Sequence, residues 1–430
     1  MNTGNECLLR VGIVSDVQMD PRPQDWGERN LEKAFSMLSS MKIDLLLHGG
    51  DLANGTNLAA FEKYSVIKKA VFGENAPPEI FCSGNHEFWS TKDRESALRH
   101  HVKISSILSQ KPDNPLHEVI RGYDFIALSD ENAPLYGADM LSELKKELDK
   151  AVARDGKKPV FLLTHFPPAE TMAGSYRISG ASSRELRKLL NDYPQVISFS
   201  GHTHDPLENE CAIWQKEFTA VTTATLSYGC SGDYPYYNTC NTILPYAREA
   251  LEFMMMEIYA DRILLHRYHA EDEREIKPEK LWSIPLPFQE KTAPFTFRTR
   301  FEKAVPPAFA PGTKLWIRPD YGYLYLVFDP ASHPDHVHSY FLRIGERSET
   351  GENWIDKGEY RYIAPFYRKK ENRGGHMVMK LPGEVLLPGK EYRFSVTASE
   401  DFGKESIPLS VEFLMPQNKF KDGTILCPQE

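Results

Sequence analysis

The chain has 430 residues, which at about 100 to 200 residues per domain predicts two or three domains. A composition that is 41% hydrophobic and 26% charged excludes collagen-like, coiled-coil and wholly disordered proteins. The 51 basic and 60 acidic residues give a net charge of −9, which argues against a surface that binds long nucleic acid. The six cysteines are too few and too scattered for a disulfide framework or a zinc ribbon. We therefore expect a globular protein that acts on a small substrate.

The N-terminal apolar run, residues 7–14, is interrupted by Arg10 and continues into charged sequence, unlike a secretory signal peptide. No stretch approaches the roughly 18 consecutive apolar residues of a membrane span. These features predict a cytoplasmic protein without a membrane partner.

From residue 8 to about residue 200, short β-branched runs alternate with amphipathic stretches, which is typical of a layered α/β domain. The pattern predicts strands at residues 9–14, 43–47, 79–82, 123–128, 159–163 and 196–200. Apolar residues spaced by three or four predict helices at residues 30–41, 59–71, 92–108, 140–152 and 183–190.

The helical pattern stops near residue 212, and three later runs, 218–226, 253–259 and 262–267, predict strands that complete the first domain. Ala260 and Asp261 would form the hairpin turn between the last two. The polar stretch 269–280 and the proline-spaced stretch 283–294 read together as a linker. We therefore expect domains at residues 1–285 and 292–416, followed by a tail at 417–430.

The second domain contains only strand and turn patterns, with strands predicted at residues 315–317, 323–328, 338–344, 377–381, 392–399 and 407–413. This pattern predicts a β-sandwich. The stretch LLPGKEYRFSVTASEDFGKESIPLSVEF, residues 386–413, resembles the final strands of a fibronectin type III domain.

Polar segments directly follow five of the predicted strands of the first domain, where open α/β sheets present ligand-binding residues. Each segment carries an oxygen or nitrogen donor and none carries a thiolate, which favours a divalent cation such as Mn, Fe, Mg or Zn. A lone histidine or Gly-Gly-Asp usually has a structural role, but five donors at five strand ends are an improbable accident. The segments are Ser15-Asp16-Val17-Gln18, Gly49-Gly50-Asp51-Leu52, Ser83-Gly84-Asn85-His86-Glu87, Thr164-His165-Phe166-Pro167 and Gly201-His202-Thr203-His204.

In order and content these segments resemble the calcineurin-like metallophosphoesterase superfamily over residues 9 to about 268, with GNHE and GHTH as the most specific matches. The resemblance implies a two-sheet α/β/α sandwich with two metal ions at its edge. It places Asp16, Gln18, Asp51 and His204 around one ion. It places Asp51, Asn85, His165 and His202 around the other, so that Asp51 bridges the two ions. His86 would act in catalysis without binding metal, by stabilising the transition state or protonating the leaving oxygen; the alternative is that it orients a neighbour.

Gln18 departs from the family pattern, in which the first motif reads Asp-x-His. A glutamine oxygen is a weaker donor than imidazole toward transition metals, so we expect manganese, with iron, zinc or magnesium as alternatives. The same Asp-x-Gln pattern is similar to that of the manganese-dependent ADP-ribose and CDP-alcohol diphosphatases. A further alternative is a site that holds only one metal firmly.

The expected function is hydrolysis of a small phosphodiester, with a cyclic nucleotide as one candidate, by a water that the two ions activate. The alternatives are a nucleoside diphosphate ester pyrophosphatase, a phosphomonoesterase, and a weakened phosphoesterase that serves as a scaffold for a binding β-domain. Whichever the substrate, one expectation for the second domain is that it covers part of the active-site mouth.

Weaker candidates for substrate contact lie in loops and in an aromatic cluster; they are Asn54, Trp89, Tyr176, Arg177, Tyr228, Tyr234, Tyr236 and Tyr237. We expect His100 and His101 to lie on a solvated helix face. His333, His336 and His338 approximate a metal-binding spacing, but we do not favour a site there because carboxylate or cysteine partners are lacking nearby.

Overall fold

The predicted alternation of strands and helices is present in the structure, a computed structural model that describes residues 6–20, 26–129, 137–176, 181–231, 242–320 and 323–417. The chain divides into two units, Met1–Thr299 and Arg300–Glu430. The strands of the first unit are β1 (Leu9–Val14), β2 (Leu45–His48), β3 (Glu79–Phe81), β4 (Leu116–Ile120), β5 (Tyr123–Leu128), β6 (Val160–Thr164), β7 (Val196–Ser200), β8 (Ile213–Gln215), β9 (Thr219–Thr222), β10 (Cys230–Ser231), β11 (Thr242–Ile243), β12 (Glu252–Ile258), β13 (Arg262–His269), β14 (Arg274–Ile276) and β15 (Trp282–Pro285). Its helices are α1 (Trp26–Ser40), α2 (Leu58–Phe72), α3 (Arg94–Ile107), α4 (Ala138–Arg154) and α5 (Ala181–Leu190).

The first unit contains two large sheets. One has the strand order β14-β13-β12-β1-β2-β3, with β15 also paired to β13, and the other has the order β4-β5-β6-β7-β9-β8. Within each sheet the strands that precede the polar segments run parallel: β1 with β2 and β3, and β6 with β7. Their carboxyl ends therefore lie at one edge of their sheet, which is where the candidate ligands follow.

The two sheets share a core, because Val11 and Ile13 of β1 pack in the same buried cluster as Phe125 of β5 and Phe161 of β6. Helices cover the outer faces. Leu31, Phe35 and Leu38 of α1 pack with residues of α2 and α3 over the first sheet, and residues of α4 and α5 form a separate cluster with the second. The predicted α/β class with two sheets is confirmed.

Helix α3 shows why predicted and observed ends differ by a few residues. Asp93 accepts a hydrogen bond from the Ser96 amide at 2.7 Å, and the Ser96 hydroxyl oxygen accepts one from the Asp93 amide at 3.1 Å. This capping box, worth about 1 kcal/mol, begins the helix at Arg94 rather than at the predicted residue 92.

The prediction of a solvated face at His100 and His101 is wrong. Both side chains are buried on α3, together with Ala97 and Ile104, which are spaced three and four residues from them. The helical period therefore places both imidazoles on the inner face. Burial lowers the pKa of His101 to about 4, so this ring is neutral at physiological pH.

The prediction of a linker over residues 269–294 is also wrong for its first part, because β14 and β15 both pair with β13. A buried charged network explains how such a polar stretch is held. Arg267 lies 4.2 Å over the ring of Trp282, and Glu210 accepts hydrogen bonds from Lys277 at 2.9 Å and from the Trp282 indole at 3.2 Å. Strand pairing and buried hydrogen bonds therefore stabilise β14 and β15, although their sequence lacks the apolar pattern from which strands are predicted.

The second unit is an all-β sandwich. A short helix, α6 (Phe297–Lys303), lies at the division between the units. The strands are β16 (Trp316–Asp320), β17 (Tyr323–Phe328), β18 (Ser339–Arg347), β19 (Trp354–Ile363), β20 (Met377–Lys380), β21 (Glu391–Ser399) and β22 (Leu409–Leu414).

These strands form a three-stranded sheet in the order β16-β17-β20 and a four-stranded sheet in the order β19-β18-β21-β22. All neighbouring strands are antiparallel, and residues of both sheets, such as Leu326 and Phe394, share one core. The predicted fibronectin type III-like sandwich is confirmed. The predicted tail falls almost entirely on residues 418–430, outside the described residues. Within the described residues, no helix has both the length and the apolar character needed to cross a membrane.

Candidate metal centre

The structure brings the predicted ligands of both sheets into contact with one another. The residues after β1, β2 and β3 belong to the first sheet, and those after β6 and β7 to the second. Because the two sheets pack face to face, the loops at their carboxyl edges meet. The site is therefore built by both halves of the first unit.

Asp51 and His165 lie at the centre of the first group of donors. The Asp51 Oδ2 atom is 3.2 Å from His165 Nε2, which is in turn 3.1 Å from Asn85 Oδ1 and 3.3 Å from His202 Nδ1. The donor atoms of Asp51, His165 and His202 all lie within 4.8 Å of one another. This spacing suits the ligands of one cation.

Asp16 and His204 form a second group beside it. The distance from Asp16 Oδ1 to His204 Nε2 is 2.9 Å, and both oxygens of Asp16 lie 3.2 Å from the His202 amide. Asp16 also accepts a hydrogen bond from the Ser15 hydroxyl at 2.5 Å. The carboxylate is fully buried and held by residues of both sheets.

Backbone carbonyls orient two of the histidine rings. His165 donates its Nδ1–H to the Gly49 carbonyl at 2.8 Å, and His204 donates its Nδ1–H to the Tyr228 carbonyl at 2.8 Å. In both rings Nε2 therefore faces the carboxylates, which is how histidines that bind metal are commonly oriented.

Five of the seven predicted ligands have a left-handed backbone, which non-glycine residues rarely adopt. The residues and their φ angles are Asp16 at 51°, Gln18 at 47°, Asp51 at 52°, His202 at 66° and His204 at 55°. Such conformations cost about 1 to 3 kcal/mol each and cluster at functional sites. They turn successive side chains out of the strand direction and into the site.

Two glycines permit the close approach of these loops. A Cβ atom on Gly84 would lie 2.6 Å from the His165 ring, and one on Gly201 would lie 3.0 Å from the Gly49 carbonyl oxygen. A side chain at either position would push the strand-end loops apart.

The carboxylates and imidazoles of the site shift one another's pKa values. Burial opposes ionisation of Asp51, but His165 overcomes it and holds the pKa of Asp51 below its ordinary range. Burial likewise opposes protonation of His165, yet the Asp51 carboxylate raises the pKa of His165 to about 10. Burial and the nearby His165 lower the pKa of His202 to about 3. A cation that replaces the His165 proton would satisfy the same lone pairs.

The donor set fits two divalent cations. Two ligands of one tetrahedral ion with bonds of about 2.1 Å are separated by roughly 3.4 Å; the nitrogen–oxygen distance is 3.2 Å between His165 and Asp51, and at 2.9 Å the His204–Asp16 pair needs only a small shift to admit an ion. Carboxylate, amide and imidazole donors suit Mn, Fe, Zn or Mg.

Gln18 contacts residues other than these two pairs. Its Oε1 accepts a hydrogen bond from the Ser227 hydroxyl at 3.3 Å, and its Nε2 lies 3.4 Å from His86 Nε2. His86 Nε2 is also 3.6 Å from Asp51 Oδ2. Gln18 therefore lies between Ser227 and His86, and its role as a metal ligand stays a prediction.

Glu87 was not among the predicted site residues, yet it holds two of the loops that carry them. Its buried carboxylate accepts hydrogen bonds from the amides of Gly84 at 2.7 Å, Asp51 at 2.9 Å and Ala53 at 3.1 Å. It thus ties the loop after β2 to the loop after β3. The available signal was its position directly after Asn85 and His86, where a carboxylate on a tight turn can cap exposed amides.

Of the weaker candidates for substrate contact, two lie against predicted site residues and four fall outside the described residues. Trp89 is 59% exposed and its ring lies 3.5 Å from that of His86, centroid to centroid, while the Tyr228 ring lies 4.5 Å from that of His204. Asn54 is exposed and Tyr176 is half-buried. Arg177, Tyr234, Tyr236 and Tyr237 lie outside the described residues.

Comparison with known proteins gives the class of this site. The sequence pattern of the calcineurin-like phosphoesterase family matches residues 9–206. No curated protein matches the chain. Among solved structures, the chain is similar to a dimetal phosphatase from Danio rerio at 12% identity, covering 65% of this chain and 99% of that chain with a TM-score of 0.45.

Two further structures are similar in part. Purple acid phosphatase PPD1 from yellow lupin (Lupinus luteus) seeds is 14% identical, with 64% of this chain and 53% of that chain covered and a TM-score of 0.44. The third fibronectin III domain of the human KIAA0343 protein is 16% identical, with 28% of this chain and 90% of that chain covered and a TM-score of 0.20.

The paired sheets and the cluster of aspartates and histidines at their edge define a metallophosphoesterase domain. Residues 9–206 belong to the calcineurin-like phosphoesterase family.

Proposed function

We propose that the first unit hydrolyses a small phosphodiester at a centre of two divalent cations. The observation that carries this proposal is the contact of Asp51 with His165 and of Asp16 with His204, each across the two sheets at about 3 Å. Two cations bound there would neutralise charge on the phosphoryl oxygens and lower the pKa of an attacking water. The side chains of the first unit would hold the two cations in place.

Asp51 is the residue placed to bridge the two cations. Its carboxylate is 1% exposed, with Oδ2 near His165 and Oδ1 accepting the His86 amide at 2.9 Å. A carboxylate is the side chain best able to hold two cations at once. We therefore assign Asp51 to both ions, with Asn85, His165 and His202 on one side and Asp16, Gln18 and His204 on the other.

His86 is placed to act on the substrate rather than on a cation. Its ring packs under exposed Trp89 and its Nε2 faces Gln18 and Asp51. Burial lowers the pKa of His86, although the nearby Asp51 opposes this shift. In the ion-bound enzyme this ring would hold or deliver a proton at the leaving oxygen.

We propose manganese as the native ion, because amide and carboxylate oxygens make up most of the donor set and Gln18 replaces an imidazole. Iron, zinc and magnesium are the alternatives. Elemental analysis of the purified chain after dialysis distinguishes them, and fewer than two ions per chain at saturation would contradict a dinuclear centre.

Trp89 favours a substrate with an aromatic base. An indole that is 59% exposed and lies against His86 offers a stacking surface beside the catalytic ring. Stacking on an aromatic side chain is worth about 1 to 3 kcal/mol per base. We propose a nucleotide diester, with cyclic nucleotides as the first class to test.

A nucleoside diphosphate ester of the ADP-ribose or CDP-alcohol type is the second candidate, because Gln18 and its link to Ser227 and His86 distinguish this site from the Asp-x-His pattern. Phosphomonoesters are the third. The alternative that involves no catalysis is a scaffold protein.

The expected role of the second unit at the active-site mouth stays a prediction, which the kinetics of a chain truncated near residue 290 would test.

The test is a substrate panel with manganese: a cyclic nucleotide, bis-p-nitrophenyl phosphate, p-nitrophenyl phosphate and ADP-ribose. Asp51→Asn and His86→Ala should each lose about 100-fold or more in kcat/KM. Glu62→Gln, an exposed position on α2, is the matched control and should keep full activity. If no phosphate ester is turned over by the ion-loaded wild type, the scaffold alternative holds.

Trp89 gives a second, independent comparison. Trp89→Ala should raise KM for the nucleotide by about 10-fold or more, whereas Trp89→Phe should keep most of the affinity. If both variants match the wild type on every nucleotide, the base does not stack there.

A further inference from the structure

The second unit contains a group of metal-binding side chains that no part of the proposed phosphoesterase reaction uses. It lies at the end of the sandwich where three connections meet: residues 329–338, 364–376 and 400–408. The register shows this directly, because Phe328 pairs with Met377, and Ser339 pairs with both Ile363 and Ser399. Loops at one end of a sandwich of this kind commonly carry binding sites.

His336 lies between two carboxylates at this end. Its Nε2 atom is 2.9 Å from Asp401 Oδ1, and its Nδ1 atom is 3.1 Å from Asp335 Oδ1. Donor atoms of the three residues lie within 4.8 Å of one another. Sequence analysis did not favour this site for want of carboxylate partners; Asp335 is adjacent, and the fold supplies Asp401 from 65 residues away.

The group is largely removed from solvent. The side chains of His336 and Asp401 are 5% and 4% exposed, and that of Asp335 is 18% exposed. The ring of Phe366 stacks on the His336 imidazole at 4.5 Å and 22°, which fixes the plane of the ring. A histidine with one nitrogen held by a carboxylate and a locked ring plane is oriented as metal-binding histidines are.

The same signature occurs in the first unit. His336 Nε2 lies 2.9 Å from the Asp401 oxygen, and His204 Nε2 lies 2.9 Å from the Asp16 oxygen. In both places, a nitrogen and a carboxylate oxygen stand at roughly the separation of two ligands on one cation.

A cavity of about 600 Å³ reaches two residues of the group, Asp335 and His336. Asp335, His336 and Phe366 line it, together with His376 from the neighbouring connection. A cation would therefore have an entry path and room for water to complete its coordination.

We propose that His336 Nε2 and Asp401 bind a divalent transition-metal cation of the zinc type at this end of the second unit, with Asp335 holding the other ring nitrogen. One imidazole and one carboxylate leave coordination positions that water or a further ligand would fill. Binding replaces the proton between His336 Nε2 and Asp401 and releases it to water. The site is independent of the phosphoesterase centre in its residues.

The first experiment measures zinc per chain and zinc affinity in the full-length protein. His336→Gln and Asp401→Asn should each lose one ion per chain, or weaken its binding by about 100-fold or more, and leave phosphate-ester hydrolysis unchanged. The matched control is Asp329→Asn, because Asp329 lies in the same connection, pairs with exposed His376 and is 63% exposed. The control should bind zinc as the wild type does. Folded variants that keep every ion overturn the proposal.

The second experiment needs no variant of the site. Mn²⁺ added to wild-type protein with labelled methyl groups should broaden the signals of Val337 and Ala364, which line the cavity. If these signals stay sharp up to a large excess of Mn²⁺ and Zn²⁺ leaves their positions unchanged, no cation binds there. Variants that lose cation binding at His336 but keep phosphate-ester hydrolysis, or that lose hydrolysis but keep this cation, show that the cation site and the phosphoesterase centre are tested separately.

Discussion

Replacing Glu87 tests whether the loops that carry the candidate ligands are held by one buried carboxylate. Glu87 Oε2 accepts the amides of Gly84 and Asp51 at 2.7 and 2.9 Å, and Oε1 accepts that of Ala53 at 3.1 Å. The side chain is fully buried, so water does not compete for these amides in the folded chain. Asp51 itself has a left-handed backbone, with φ at 52°, and needs this support to keep its carboxylate in the site.

The expected cost follows from the number of hydrogen bonds. Burial and the nearby Asp51 carboxylate raise the pKa of Glu87 to about 7, so the comparison is made at about pH 8.5, where the side chain is ionised and a hydrogen bond to it contributes about 1.5 to 3 kcal/mol. Glu87→Gln keeps one acceptor oxygen but turns an NH₂ group toward an amide donor, so we expect a loss of about 2 kcal/mol. Glu87→Ala leaves all three amides without the carboxylate, and we expect a loss of about 4 kcal/mol or more.

Amide hydrogen exchange measures this locally. In the ion-free chain, the amides of Asp51, Ala53 and Gly84 should exchange about 30-fold faster in Glu87→Gln, because 1.4 kcal/mol corresponds to a factor of ten. Zinc or manganese affinity should fall by about 10-fold or more, because the displaced Asp51 no longer meets His165.

The control is Glu62→Gln, an exposed position on α2, which should leave both exchange and ion affinity within error of the wild type. If Glu87→Ala leaves the exchange of these three amides unchanged, the carboxylate does not hold the loops, and this account of how Asp51 is positioned fails.

Three further changes test other parts of the first unit. Burial and the carboxylate of Glu208 raise the pKa of Glu252 well above its ordinary value, so the folded chain keeps a proton that the unfolded chain has lost. The free energy of unfolding measured in urea should therefore fall by up to about 1.4 kcal/mol per pH unit above about pH 5. Glu252→Gln should remove this dependence on pH. Parallel curves of unfolding free energy against pH for the two proteins would contradict the prediction. His101→Leu should raise the melting temperature, because both ring nitrogens are buried without a hydrogen-bond partner among the described residues and their desolvation costs about 1 to 2 kcal/mol; an equal or lower melting temperature would count against this reasoning. Gln18→His should raise the affinity for the first ion in a metal titration, because imidazole is the stronger donor; an unchanged stoichiometry and midpoint would refute this.

Features that depend on local sequence were predictable. The strands that precede the ligand segments are short apolar runs, and β1, β5 and β7 have the predicted bounds. Donors at the carboxyl ends of parallel strands of one sheet lie at one edge, so the grouping of Asp16, Asp51 and Asn85 follows from the strand pattern, whereas the contact of Asp51 with His165 also depends on how the two sheets pack.

Features that depend on a distant partner were not predictable. The stretch that contains β14 and β15 is polar enough to resemble a linker, and only the buried contacts of Glu210 with Lys277 and Trp282 show why it is ordered. Likewise, the carboxylate that faces His336 Nε2 comes from Asp401, which follows it in the chain after four intervening strands. Periodicity describes one element at a time, whereas these contacts join elements whose separation in sequence carries no signal.

The backbone strain at the candidate ligands is opposed by contacts between their loops. Left-handed conformations at Asp16, Asp51 and His204 would cost several kcal/mol together in a free chain. Hydrogen bonds join the loops that carry these residues: the Gln18 amide donates to the Asp51 carbonyl at 2.9 Å, and the His86 amide donates to the Asp51 carboxylate. The packing of one strand-end loop on another therefore contributes to offsetting the strain.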